Sequence, residues 1–186
     1  MPEPEAKLEQ TENGTVVASD GWFVLNLGDV AWERNEKGGE YSNVEPKDGR
    51  FDQYGIGVHV LRPGQPNGLY HAENVQEDFL VLSGECVLLI EDEERRLKAW
   101  DFVHCAPGTH HIFVGAGDGP CAILMVGARG DGKTLHYPVS DLASKYDASA
   151  SEETENPREA YRDWPGGFEP VRSSWPPGER GSPGGS

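Results

Sequence analysis

The chain has 186 residues with 32 acidic against 16 basic side chains, a formal net charge of −16, and a hydrophobic content of 36%. A surface this acidic repels phosphate backbones and anionic headgroups, which disfavours nucleic-acid and membrane partners, and no stretch has the apolar length that spans a bilayer. Gly 24 and Pro 14 point to many turns, and three cysteines (Cys86, Cys105, Cys121) are too few and too far apart for a disulfide framework or a CxxC module. Each cysteine lies in an apolar run, so buried free thiols in a reducing compartment are expected.

The N-terminus, MPEPEAKLEQTENG, is charged, carries no apolar core of a signal peptide, and reads as a disordered arm over residues 1–14, which places the protein in the cytoplasm by default. Residues 15–130 read as one β-domain. Gly21 to Leu27 is the first predicted strand, and Asp29 to Arg50, polar and Gly-rich, is a predicted long loop anchored by Trp32 and Tyr41. Ile56 to Leu61 is a strand closed by the turn Arg62-Pro63-Gly64, and Leu69 to Ala72 starts another. Asp78 to Leu82 and Glu85 to Ile90 form a hairpin across Ser83-Gly84, followed by a charged turn at Glu91 to Arg96. Strands at Asp101 to Cys105, His111 to Val114 and Cys121 to Val126 complete the set, with Pro107-Gly108 turning the chain between the first two. Short strands with regular turn signals and no helical period mark an all-β sandwich or barrel. Val87 to Ile90 and Cys121 to Val126 are apolar on both faces, so each needs a second sheet or a dimer contact behind it; a homodimer is expected.

Residues 131–175 read as an extension packed on the barrel. It holds two short helices, Ser140 to Tyr146 with Ser140 as N-cap and Asn156 to Asp163 with Pro157 in the first turn. Trp164, Phe168 and Trp175 are its surface anchors, and residues 176–186 are a predicted disordered tail.

The chemistry concentrates between Asn67 and Gly115. His71 and Glu73 share a strand face, Glu77 opens the next strand on a face with Phe79 and Val81, and His111 shares one with Phe113 and Gly115. If both hairpins curl to one mouth, two imidazoles and one or two carboxylates converge. That donor set suits a divalent ion with open positions, and Zn, Fe, Mn and Ni all accept it. His110 is read as an exposed turn residue, His104 as a hydrogen-bonded structural position, Cys105 as packing, and His59 as a strand histidine that lines the barrel or is structural. Tyr54, Tyr70 and Tyr137 are the candidates for a pocket hydroxyl. No P-loop, GxGxxG, GxSxG or HExxH is present, which removes nucleotide, dinucleotide, serine-hydrolase and zincin readings.

The stretch resembles the cupins, specifically the small single-domain cupins, whose two motifs run G(X)5HXH(X)3–4E(X)6G and G(X)5PXG(X)2H(X)3N. Glu77, six residues and Gly84 match the end of the first motif; counting back gives His71 as its first histidine and places Glu73 at its second. Gly108-Thr109-His110-His111 matches GXXH and selects His111. The departures are Glu73 for a histidine, Ala106 for the proline, Trp100 for the leading glycine of the second motif and Gly115 for its asparagine, while Gly64 lies one residue off the first motif's leading glycine. The resemblance implies a double-stranded β-helix, or jelly-roll barrel, with short C-terminal helical segments, and a divalent metal (Zn, Fe, Mn or Ni) on His71, Glu77 and His111. Glu73 is a further ligand, by substitution of carboxylate for imidazole, a hydrogen-bond acceptor behind His71, a rim charge facing solvent, or a free carboxylate that moves a proton.

Three readings of function follow. One is a metal-dependent oxygenase or isomerase acting on a small organic acid, sugar or aromatic. Another is a non-catalytic small-molecule binder or sensor, and the third is a metal-free structural cupin.

Overall fold

The computed structural model describes residues 1–42, 44–47, 49–173 and 175. Fourteen strands and two short helices follow in order among them: β1 (Leu8–Thr11), β2 (Gly14–Val17), β3 (Trp32–Asn35), β4 (Gly39–Ser42), β5 (Tyr54–Leu61), β6 (Ala72–Glu73), β7 (Glu77–Ser83), β8 (Glu85–Ile90), β9 (Glu93–Lys98), β10 (Phe102–Cys105), β11 (His111–Ala116), β12 (Cys121–Ala128), β13 (Leu135–His136), α1 (Asp141–Ser144), α2 (Pro157–Ala160) and β14 (Glu169–Val171). A seven-stranded antiparallel sheet in the order β10-β7-β12-β5-β4-β3-β14 faces a three-stranded one, β11-β8-β9, and the two close as a jelly-roll barrel. No helix among the described residues is long and apolar enough to cross a membrane.

The barrel interior is filled by side chains that alternate along these strands. Leu61 on β5, Phe79 and Val81 on β7, Cys86 and Leu88 on β8, Phe113 on β11, and Cys121 and Ile123 on β12 form one buried cluster with Cys105 on β10. All three cysteines are free and buried.

The opposite faces of the doubly apolar strands are covered by the chain itself. Val87 and Leu89 of β8 pack with Tyr70, Ala143 and Ala148, so α1 and the turn after it cover that strand. Ala122 of β12 packs with Val30, Trp32, Val58 and Val60.

Several boundaries differ from the sequence reading. Leu8–Thr11, expected within a disordered arm, pairs with Gly14–Val17, because Thr11 turns the chain by accepting from Asn13 N and donating to Gly14 O. The predicted strand from Gly21 to Leu27 is not formed; only Trp22 bridges, to Glu5. The predicted loop from Asp29 to Arg50 contains the β3–β4 hairpin, its turn held by Asn35 Oδ1, which accepts from Lys37 N and Gly38 N. The charged turn shrinks to Glu91-Asp92, and residues 93–98 form β9, a solvent-facing edge strand whose exposed charges disguise it. Both C-terminal helices form: Ser140 Oγ accepts from Ala143 N at 3.1 Å, and Asn156 Oδ1 accepts from Arg158 N at 3.0 Å ahead of Pro157. Trp164 packs on Tyr161, Phe168 lies edge-on to Tyr41, and Trp175 lies 6.0 Å from Trp32. The tail expected from Pro176 onward lies outside the described residues.

Candidate metal centre

His71 stands immediately before β6 and His111 opens β11. The two residues form an antiparallel bridge, His111 N donating to His71 O at 2.9 Å and His71 N to His111 O at 3.3 Å. That backbone pairing puts the imidazoles side by side, ring centroids 5.3 Å apart. Both rings are oriented alike. His71 Nδ1 lies 2.7 Å from Leu69 O and His111 Nδ1 3.0 Å from Thr109 O. A carbonyl oxygen can only accept, so each Nδ1 carries the proton and each Nε2 keeps its lone pair. Backbone orientation of the remote nitrogen is how ligating histidines are commonly held.

Glu77, at the start of β7, brings Oε2 to 3.5 Å from His111 Nε2. His71, Glu77 and His111 each offer one ligand atom, and the three atoms lie within 4.8 Å of one another. The site is lined by Phe79, 5.1 Å from the His111 ring, and by Tyr137, stacked on His71 at 5.4 Å. Burial pushes the His71 imidazole down to about 4, and burial with the neighbouring His71 does the same to His111. Burial, with the Glu73 charge adding to it, pushes Glu77 up to about 7. Two neutral imidazoles with free Nε2 lone pairs, beside a buried carboxylate that wants a countercharge, are a consistent donor set for a cation.

Glu73 lies close by and outside that group. Its Oε1 is 3.9 Å from His71 Nε2, and its Oε2 meets Lys133 Nζ at 2.5 Å as an ion pair that lacks hydrogen-bond alignment. Lys133 was not anticipated from the sequence. It stands in the polar loop after β12, and only the fold brings that loop to β6.

The remaining candidates separate clearly. His110, adjacent to His111, faces the other way: its Nε2 is 2.9 Å from His136 Nδ1 and its ring stacks on Tyr70. It is thus half-buried in a histidine pair, where exposure was expected. His104 pairs with Asp78 at 2.7 Å on the outer surface, and Tyr54 is exposed. Cys105 packs in the barrel opposite Glu77, with burial and the nearby carboxylates pushing its thiol up to about 12.

His59 stacks on Tyr41, and its Nδ1 is buried with no hydrogen-bond partner among the described residues; burial lowers the imidazole to about 4. With Tyr41, Met125, Gly127, Arg129 and Lys133 it lines a cavity of about 400 Å³. This cavity adjoins the carboxylate side of the cluster, since Lys133 touches Glu73 and a Cβ on Gly127 would sit 3.5 Å from Glu77 Oε1. Neither this cavity nor a larger groove of about 650 Å³, between β3–β4 and the C-terminal segment, is lined by a residue of the cluster itself.

Comparison with known proteins gives three findings. No curated protein matches the sequence. Among solved structures, the chain is similar to a candidate sugar phosphate isomerase from Acidithiobacillus ferrooxidans (27% identity over 46% of this chain and 56% of that one, TM-score 0.44). It is also similar to a sugar phosphate isomerase from Silicibacter pomeroyi (30% identity, 54% and 66%, TM-score 0.46) and to a polyketide cyclase from Streptomyces resistomycificus (17% identity, 57% and 79%, TM-score 0.50). The chain thus spans less than two thirds of the length of the first two. Residues 57–127, from β5 to β12, match the cupin domain family. That match spans His71, Glu77 and His111, and residues 57–127 are a cupin domain.

Proposed function

We propose that His71, Glu77 and His111 hold one divalent metal ion, Zn, Fe, Mn or Ni, and that a small organic anion binds it from the cavity beside His59. The observation that carries this reading is the pair of Nδ1–H donations to Leu69 O and Thr109 O, which leaves both Nε2 atoms free beside the Glu77 carboxylate. The donor set is two nitrogens and one oxygen, which leaves positions open on any of these ions. Bound there, the ion would act as a Lewis acid toward an oxygen of the substrate.

The chain's own groups set the charge. A divalent ion with one Glu77 carboxylate carries a net single positive charge, and the Glu73–Lys133 pair adds none. A carboxylate or enolate oxygen is the ligand class that balances it. Met125 and Ile56 give the cavity apolar wall, and the neutral His59 ring, which has a donor and an acceptor, suits a hydroxyl or carbonyl on the same molecule. Glu73, beside His71 and off the ligand group, is the carboxylate placed to move a proton. In this reading the protein is an isomerase or oxygenase of small hydroxy or oxo acids.

Elemental analysis after purification without added metal tests it. One equivalent of metal in the wild type, lost in the His71→Ala/His111→Ala double variant, is the expected result. Equal sub-stoichiometric metal in both proteins sinks the reading. Turnover of the loaded protein on sugars, oxo acids and catechols then separates enzyme from binder; tight binding with no turnover across the panel favours the binder.

A further inference from the structure

Glu73 stands closest to the cluster without joining it, and Lys133 governs what its carboxylate does. Glu73 is buried, with Oε2 at 2.5 Å from Lys133 Nζ and Oε1 at 3.9 Å from His71 Nε2. Lys133 is fixed in place by the residue next to Glu73. Asn74 Nδ2 donates to Gly132 O at 2.9 Å, Thr134 N donates to Asn74 Oδ1 at 2.8 Å, and Asn74 N donates to Thr134 O at 3.2 Å. The backbone on both sides of Lys133 is therefore fastened to β6 at the position following Glu73. The backbone at Glu73 is held as well, its carbonyl accepting from Gly108 N at 2.7 Å.

A buried carboxylate needs a countercharge. Two are on offer once a dication is bound: the ammonium already in contact, and the ion beside His71. We propose that Lys133 is a positioning residue that keeps Glu73 out of the metal's coordination sphere, so that His71, Glu77 and His111 alone bind the ion and an anionic ligand finds both an open position and a net positive charge. The proposal rests on the metal-centre reading above. Removing the ammonium leaves the ion as the nearest positive charge, and Glu73 moves onto it. The centre then becomes neutral and closes one position to outside anions.

Titration of the full-length protein with Co²⁺, read by its visible d–d bands, tests this, with azide as the anion probe. In Lys133→Met the expected result is Co²⁺ bound about tenfold tighter, a changed visible spectrum, and azide affinity lowered about tenfold. Lys133→Arg keeps the wild-type spectrum, and so does Glu73→Gln. The double variant Lys133→Met/Glu73→Gln returns to the wild-type spectrum, which a merely structural role for Lys133 would not produce.

An unchanged spectrum in a folded Lys133→Met protein overturns the proposal. If Lys133→Met does not fold, Glu73→Gln decides: an unchanged Co²⁺ spectrum supports the proposal, and a loss of Co²⁺ affinity beyond about tenfold shows Glu73 to be a ligand already and overturns it. A wild type that takes up no stoichiometric Co²⁺ overturns the metal centre itself. Normal wild-type uptake with a failed Lys133→Met result overturns only the role of Lys133.

Discussion

Followed inward from the mouth, β7 presents Glu77, then Phe79, then Val81; β11 presents His111, then Phe113; β12 presents Gly127, then Met125, Ile123 and Cys121. The mouth and the closed end of the barrel are thus made by the same strands, and they differ in what the inward side chains do. At the closed end Leu61, Val81, Phe113, Cys121 and Ile123 are fully shielded from water and contribute stability in proportion to the apolar area buried. At the mouth two imidazoles and a carboxylate sit where burial opposes their charged forms. The difference teaches that the site is maintained against folding stability, by the apolar layers stacked beneath it.

The largest test of that difference is Phe113→Ala. Phe113 has no exposure, lies 4.7 Å from Phe79, and forms the layer directly under His111. The expected loss is about 3–5 kcal/mol in urea unfolding, from lost transfer energy and the cavity left behind. A loss under about 1 kcal/mol would mean that the closed end is not what holds the barrel together.

Glu77→Gln probes the mouth, and the expected sign is opposite. The Glu77 carboxyl titrates at about 7 in the folded, metal-free protein against 4.5 in its ordinary state. The folded state therefore holds its proton more tightly, so stability falls as pH rises from about 4.5 through 7 and stays low above it. Glutamine mimics the protonated form. The variant should gain up to about 3 kcal/mol at pH 8 without metal, a gain that vanishes below pH 4.5. The two histidines act on the other limb. Held down at about 4 against 6.5, they cost stability as pH falls from 6.5 to 4 in both proteins alike. Denaturant midpoints of metal-free protein at pH 4, 6 and 8 check both limbs; a Glu77→Gln protein no more stable than wild type at pH 8 would remove the opposition between the two ends.

How far the sequence carried these conclusions depends on the range of the interaction. Strand alternation was enough to put Glu77 with Phe79 and Val81, and His111 with Phe113, because that pattern is local. The resemblance chose His111 over His110, and the two do face apart. Lys133 was invisible because its contact with Glu73 spans sixty residues and depends on the Asn74 clamp. The β3–β4 hairpin was missed because its strands are short and polar, and the outer partners of the two, β5 for β4 and β14 for β3, come later in the chain. One departure from the family pattern has a backbone explanation, and another runs against the backbone. A Cβ at Gly115 would lie 2.2 Å from Arg62 O, so the strand crossing there admits only glycine. Trp100 stands at a pattern glycine and has φ of 75°, the conformation that glycine would adopt freely.

That last residue gives the smallest effect and the one that locates strain at the closed end. Trp100 precedes β10, and its N–H donates to Val81 O at 2.8 Å, so the turn is fixed by the same strand that supplies the core. Its side chain is 77% exposed and contributes little packing. Left-handed backbone costs a residue with a Cβ about 1–2 kcal/mol, while glycine adopts it freely and loses part of that gain through the greater freedom of its unfolded chain. Trp100→Gly should therefore raise stability by about 1 kcal/mol, with no change in metal content. A loss of stability would show that the indole packs on the barrel in solution and that the closed end extends to its outer rim.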